Sequence, residues 1–122
     1  MLKVFVYYNL HKSCWSIKAL EGAQKGKVIE HAKQVILFDA VPRVSEAGRQ
    51  RVLKERSKNV HAGIIGKLFM HSTEVVENSS AGFKEITYNP YKFCTFVYKD
   101  DNDNPYNGSD VVYMTNRRVF EV

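Results

Sequence analysis

Long hydrophobic runs are missing from the 122 residues. No stretch approaches the ~18 consecutive apolar positions that cross a bilayer. Cysteine is scarce: Cys14 and Cys94 stand alone with no CxxC pair, which excludes a disulfide framework and a cysteine-rich zinc fold. Both fall in alternating apolar stretches and are expected to be buried thiols of a reducing compartment. The four histidines, His11, His31, His61 and His71, form neither HxxxH nor HExxH, so no local metal site is expected. Also missing are GxSxG, GxxxxGK[ST] and GxGxxG. Asp101-Asn102-Asp103-Asn104 imitates the start of a calcium loop, but Tyr106 stands where its glycine is needed and Val112 where its last acid is needed. The opening Met-Leu-Lys-Val-Phe-Val-Tyr-Tyr-Asn carries a charge inside a short alternating segment and reads as a strand, not a signal peptide. Asn78-Ser79-Ser80 and Asn107-Gly108-Ser109 then match the glycosylation pattern only by chance.

What is present is ordinary globular chemistry: 44% apolar and 25% charged residues, sized for a single domain over 1–122. The net charge of +5 is unevenly spread. Residues 1–61 hold 12 Lys and Arg against 5 Asp and Glu, and residues 62–122 hold 6 against 8. The basic half points to an anionic partner. Seven Tyr, seven Phe and one Trp are many for this length, and some suit a binding surface or an oligomer contact.

Hydrophobic alternation dominates the chain. It predicts strands over Leu2–Tyr8, Cys14–Leu20, Lys27–His31 with Gln34–Phe38 (two strands or one bent strand), Val60–His71, Phe83–Tyr88, Phe93–Tyr98, Val111–Thr115 and Arg118–Glu121. The N-terminal third reads as an antiparallel meander. In Val60–His71 the small residues Ala62, Gly63 and Gly66 allow close approach of another backbone. After Pro42, a helix is expected over about 45–58, with Ser45 as N-cap and Arg51, Lys54 and Lys58 at helical spacing. Its apolar stripe is so thin that it would lie on the surface or at a homo-oligomer interface. Residues 99–110 are acidic and Asn-rich and read as a long turn or a mobile loop able to close over a ligand. The expected architecture is α+β: an antiparallel, barrel-like sheet with one main basic helix.

Several segments carry candidate chemistry. The turn Gly22-Ala23-Gln24-Lys25-Gly26-Lys27 offers backbone N–H groups and lysines to a phosphate, or is a plain hairpin turn. The basic helix would suit a nucleic-acid groove, although no second helix makes a helix-turn-helix unit. Phe83, Tyr88, Asn89, Tyr91 and Tyr106 supply ring faces and polar tips, and Arg117 and Arg118 supply guanidinium groups. Such a set can stack a base, read its edge and grip a phosphate. Two adjacent arginines on one strand point to opposite faces, so at most one of them lines a given pocket.

The stretch Val4-Phe5-Val6-Tyr7-Tyr8-Asn9-Leu10-His11-Lys12, with Lys18-Ala19-Leu20-Glu21-Gly22 and Lys25-Gly26-Lys27-Val28, resembles a small family of phage-encoded proteins. So does Val44-Ser45-Glu46-Ala47-Gly48-Arg49-Gln50-Arg51-Val52-Leu53, continuing to Lys58-Asn59-Val60-His61-Ala62-Gly63. The family is the first family of Thoeris anti-defence proteins, and the resemblance covers about residues 2–66. It implies a viral immune-evasion protein of the host bacterial cytoplasm, a non-enzymatic sponge without cofactor or metal. The sponge binds cyclic ADP-ribose isomers (gcADPR type) made by bacterial TIR proteins and does not cleave them. It also implies a β core, helices at a homodimer contact, hexamers in some members, and a second site for cyclic trinucleotides. Neither membrane nor nucleic acid is then a partner.

Carried over residue by residue, Lys27 falls where relatives have an arginine after a Lys-Gly pair, keeping the charge without the bidentate geometry. Phe83 matches the stacking ring, Asn89 the polar reader, and Arg117 or Arg118 the late arginine. Arg56 is the candidate for the second anion site. Tyr8 and His11 belong to the motif without an assigned role. The rival expectations are a phage nucleic-acid-binding protein and a small nucleotide hydrolase working through a histidine or a cysteine.

Overall fold

The computed structural model describes residues 1–44, 62–74, 82–89 and 95–122. Ten strands fill them: β1 (Lys3–Asn9), β2 (Cys14–Ala19), β3 (Val28–Ala32), β4 (Gln34–Val44), β5 (Ala62–Ser72), β6 (Lys84–Asn89), β7 (Thr95–Tyr98), β8 (Asp101–Pro105), β9 (Ser109–Thr115) and β10 (Arg118–Glu121). They form one antiparallel sheet in the order β3-β2-β1-β5-β4-β9-β10-β6-β7-β8. The N-terminal meander is present as β1, β2 and β3 side by side.

The fold among the described residues is all-β, which corrects the α+β expectation. None of these residues is helical, and the sheet is open, with β3 and β8 as its two edges, rather than a closed barrel. The helix expected over 45–58 lies outside the described residues. It rested on the spacing of charges with almost no apolar stripe, and charge periodicity without a face to bury is a weak helical signal. Val44, the residue before that segment, is the last residue of β4 and pairs with Ala62. Pro42 does not break β4 because β9 pairs with it only as far as Ala40. Beyond that point β4 has a single neighbour, and a residue without an N–H is tolerated at such a local edge.

Residues 101–105 correct the second expectation. They form the edge strand β8 rather than a loop, with Tyr98 opposite Asp101 and Val97 opposite Pro105. Tyr106 follows, fully buried, with its hydroxyl 2.7 Å from Ser109 Oγ. An acidic strand carrying a proline is what an unpaired edge tolerates without recruiting another chain.

The sheet is open but strongly curled. β3 and β4 stand four places apart in the order, yet Lys33 alone separates them, so the sheet must roll until the end of one meets the start of the other. Two bulges help: β4 and β5 lose register at Ile36/Leu37 and again between Phe38 and Val41. Asp39 takes φ +52° in the second bulge, and its carboxylate lies 3.2 Å from Lys67 Nζ. Bulges add local twist, which a flat ladder lacks.

Alternation places Val4 and Val6 of β1, Ile17 of β2, Val35 and Leu37 of β4, Ile64 of β5, Ile86 of β6 and Val112 and Met114 of β9 in one core, all essentially inaccessible. Each such side chain contributes ~1.5–3 kcal/mol on burial. The glycines of β5 admit neighbouring backbone as their size suggests. A Cβ on Gly63 would lie 2.2 Å from the Val6 carbonyl oxygen, and one on Gly66 would lie 2.9 Å from that of Phe38.

Candidate functional site

Curling brings the end of β1 and the start of β2 against β6, β7 and the β9–β10 turn. A cleft of about 170 Å³ opens there. Its walls include Tyr8, Trp15, Tyr88 and Phe96, with Arg117 and Glu85 as its charged members. The rings pack on one another: Tyr8 meets Trp15 edge-on at 5.2 Å and 83°, and Tyr88 lies 5.9 Å from Phe96 at 52°. T-shaped and tilted pairs of this kind are favoured over face-to-face stacks. The Trp15 indole Nε1 is buried with no hydrogen-bond partner among the described residues.

Arg117 owes its place to backbone geometry. Thr115 pairs with Arg118 across the β9–β10 hairpin, leaving Asn116 and Arg117 as a two-residue loop. Their φ values are +46° and +67°. Two positive φ values in such a loop are the signature of a type I′ turn, whose preferred sequence is Asn-Gly. Arginine therefore occupies the position that glycine fills best. Its guanidinium carbon lies 5.1 Å from the centre of the Tyr8 ring, a cation–π distance. The side chain is exposed and forms no ion pair among the described residues.

Glu85 is engaged differently. Its carboxylate accepts hydrogen bonds from Arg118 Nε at 3.0 Å and Nη2 at 2.6 Å, and from Lys99 Nζ at 3.2 Å. Partial burial pushes its pKa up, but the Arg118 and Lys99 hydrogen bonds and charges outweigh that and hold it below the ordinary 4.5. It is therefore ionised at neutral pH and occupied by cations from outside the cleft. Farther off, the Tyr98 hydroxyl donates to Glu121, and burial together with that carboxylate pushes the tyrosine up to about 12.

Two further openings flank the cleft. One, of about 110 Å³, shares Tyr8 and Trp15 with it and is otherwise lined by Ser13, Cys14, Lys33 and Asn116. The other, of about 270 Å³, is acidic, with Asp100, Asp101 and Glu85 among its walls beside Lys84, Tyr98 and Asn104.

The residues named from sequence are scattered. Arg117 lines the cleft, and Arg118 points away to Glu85 and over the Phe120 ring at 4.9 Å, so only one of the pair serves it. Phe83 is half-buried just before β6 and is not a wall of the cleft. It stands five residues from Tyr88, roughly 16 Å along an extended strand. Asn89 ends β6, half-buried. Lys27 is exposed in the β2–β3 turn, where its N–H donates to the Gln24 carbonyl oxygen at 3.0 Å. Arg56, His61, Tyr91 and Cys94 lie outside the described residues, whereas Cys14 is a buried free thiol. No group of three or more metal-ligating side chains occurs among the described residues, and no helix among them is long and apolar enough to cross a membrane.

Sequence reasoning missed Trp15, Phe96, Lys33 and Glu85 as members of this region. One signal was available: Asn116-Arg117 between two alternating segments marks a hairpin loop, and the loop type flags the arginine. Trp15, Phe96 and Glu85 are ordinary strand residues until the sheet curls, and Lys33 reads as a simple link between two strands.

No solved structure matches the chain. The gene 82 protein of Mycobacterium phage L5 is 41% identical over 124 residues, spanning 97% of this chain and 94% of that protein. The family described as Mycobacterium phage L5 gene 82 protein matches residues 1–122. The chain is therefore a member of the Mycobacterium phage L5 gene 82 protein family.

Proposed function

We propose that this phage protein acts in the host cytoplasm as a sponge: it binds a cyclic ADP-ribose-type signal made by bacterial TIR proteins and holds it uncleaved. The observation that carries the reading is Arg117, kept in a left-handed turn position and laid on Tyr8 at an aromatic-lined cleft. Rings stack a purine, and a guanidinium with no carboxylate partner among the described residues can meet phosphate. Membership of a phage family and the resemblance of residues 2–66 to Thoeris anti-defence proteins support the biological setting.

The size of the cleft refines the reading. Pockets that enclose whole drug-sized ligands run to about 300–1,000 Å³, so about 170 Å³ takes one ring system and leaves the rest of the ligand outside it.

The test is recovery. The purified protein is mixed with cyclic ADP-ribose isomers, freed of unbound ligand and heat-denatured, and the supernatant is analysed by mass spectrometry. Intact isomer from the wild type and none from Arg117→Ala is the expected result. A cleaved product would point to a hydrolase, and no recovered ligand would end the proposal. A polynucleotide binder would instead lose affinity steeply with log[salt].

A further inference from the structure

We propose that the small opening beside Trp15, lined by Ser13, Lys33 and Asn116, is an anion subsite for the phosphate end of a nucleotide whose ring enters the neighbouring cleft. The assignment rests on the ring-binding reading of that cleft, and it adds a residue set the sequence never suggested.

The two openings are contiguous: Tyr8 and Trp15 are walls of both, and their edge-on contact forms the partition. At about 110 Å³ the smaller one exceeds the ~30 Å³ share of a single water several-fold. That suits a tetrahedral oxyanion and is too small for a nucleoside.

Its chemistry is that of a donor set. Ser13 offers a hydroxyl, Lys33 an ammonium and Asn116 an amide, and among the described residues no carboxylate lines the opening. The contrast with the 270 Å³ opening decides the matter, because Asp100, Asp101 and Glu85 there would repel phosphate despite the larger space. Lys67, Lys99 and Arg118 are spent on ion pairs, whereas Lys33 and Arg117 have none among the described residues. Lys33 is also fixed in place. It is the single residue joining β3 to β4, and its N–H donates to the Ser72 carbonyl oxygen at 2.9 Å. Arg117 follows Asn116 directly and leans on Tyr8, so a second cation stands at the partition.

Backbone strain gathers at the same place. Of the four described non-glycine residues with positive φ, Ser13 and Asn116 line this opening, Arg117 follows Asn116 at the neighbouring cleft, and Asp39 lies elsewhere. Strain of this kind clusters where side chains must be aimed.

Trp15 is the sole tryptophan, so its fluorescence reports both openings without labelling. The probes are pyrophosphate, adenosine and ADP. ADP is expected to bind roughly tenfold or more tightly than adenosine, the scale of one charge-assisted contact. Lys33→Glu should lower ADP and pyrophosphate affinity by at least that factor and leave adenosine unchanged. Asn116→Gly, which the type I′ turn accepts, should weaken the anions without lowering the melting temperature. If ADP binds no better than adenosine, if pyrophosphate gives no response, or if Lys33→Glu binds ADP like the wild type, the subsite is refuted. The outcome is separable from the sponge reading. Failure to recover a cyclic ADP-ribose isomer leaves a Lys33-dependent ADP response standing, and loss of that dependence leaves capture through Arg117 standing.

Discussion

Arg117 offers the sharpest test of whether the hairpin turn is shaped for folding or for binding. Replacing it with glycine removes a left-handed conformation that costs a side-chain-bearing residue ~1–2 kcal/mol. Against that gain stand the exposed cation–π contact with Tyr8, ~0.5–1 kcal/mol, and the extra freedom of glycine in the unfolded chain, ~0.5–1 kcal/mol. Arg117→Gly should therefore lie within about 1 kcal/mol of the wild type on these terms. Arg117→Ala keeps the left-handed cost and still loses the contact, so it should be less stable than Arg117→Gly by about 1 kcal/mol, or ~4 °C in Tm for a chain of this size. Thermal unfolding followed by circular dichroism reads the difference, and the recovery assay reads ligand capture by the same two proteins. Both variants should lose capture while only one loses stability. If Arg117→Gly melts below Arg117→Ala, the left-handed conformation carries no cost at this position and the turn argument fails. If both variants still capture ligand, the cleft is not the site.

The remaining predictions address the fold and its titrating groups. Gly63→Ala drives a Cβ into the Val6 carbonyl oxygen and the Phe5 ring, and should lower stability to urea by at least ~2 kcal/mol. Glu85→Gln should reduce stability at neutral pH by less than Gly63→Ala, because its partners are more than half exposed. The Glu85 pKa is lowered on folding, so its contribution is present above 4.5 and is lost as pH falls through the folded value. The Glu85→Gln and wild-type urea midpoints should converge in acid. Tyr98 has the opposite sign. Its pKa is raised from 10.0 to about 12, so its contribution is intact below 10.0 and is lost as pH rises through about 12. Tyrosinate absorbance should show a late-titrating ring that Tyr98→Phe removes and that Glu121→Gln shifts to lower pH, and a curve unchanged by both would contradict the contact.

Most of the strands are legible in the sequence because a half-buried strand must alternate. Val4, Val6 and Ile17 announce their face, and so do Ile86, Val112 and Met114. The same rule misled at 101–105, where Asp, Asn and Pro look like loop. An edge strand needs only one neighbour and exposes its other side to water, so its composition is that of a turn. The charge imbalance points to an anion, and a type I′ loop is readable in Asn116-Arg117, but neither says what the arginine faces.

That is decided by curvature. The single residue between β3 and β4 and the paired bulges of β4 and β5 roll the sheet until Tyr8 meets Arg117, and the opening beside Trp15 gains Asn116 of the distant β9–β10 turn. Alternation has a period of two and carries no information about which strand lies beside which, or how far the sheet turns. Strand order and roll come from the sum of many long-range pairings, and the cleft between distant segments exists only once they are made.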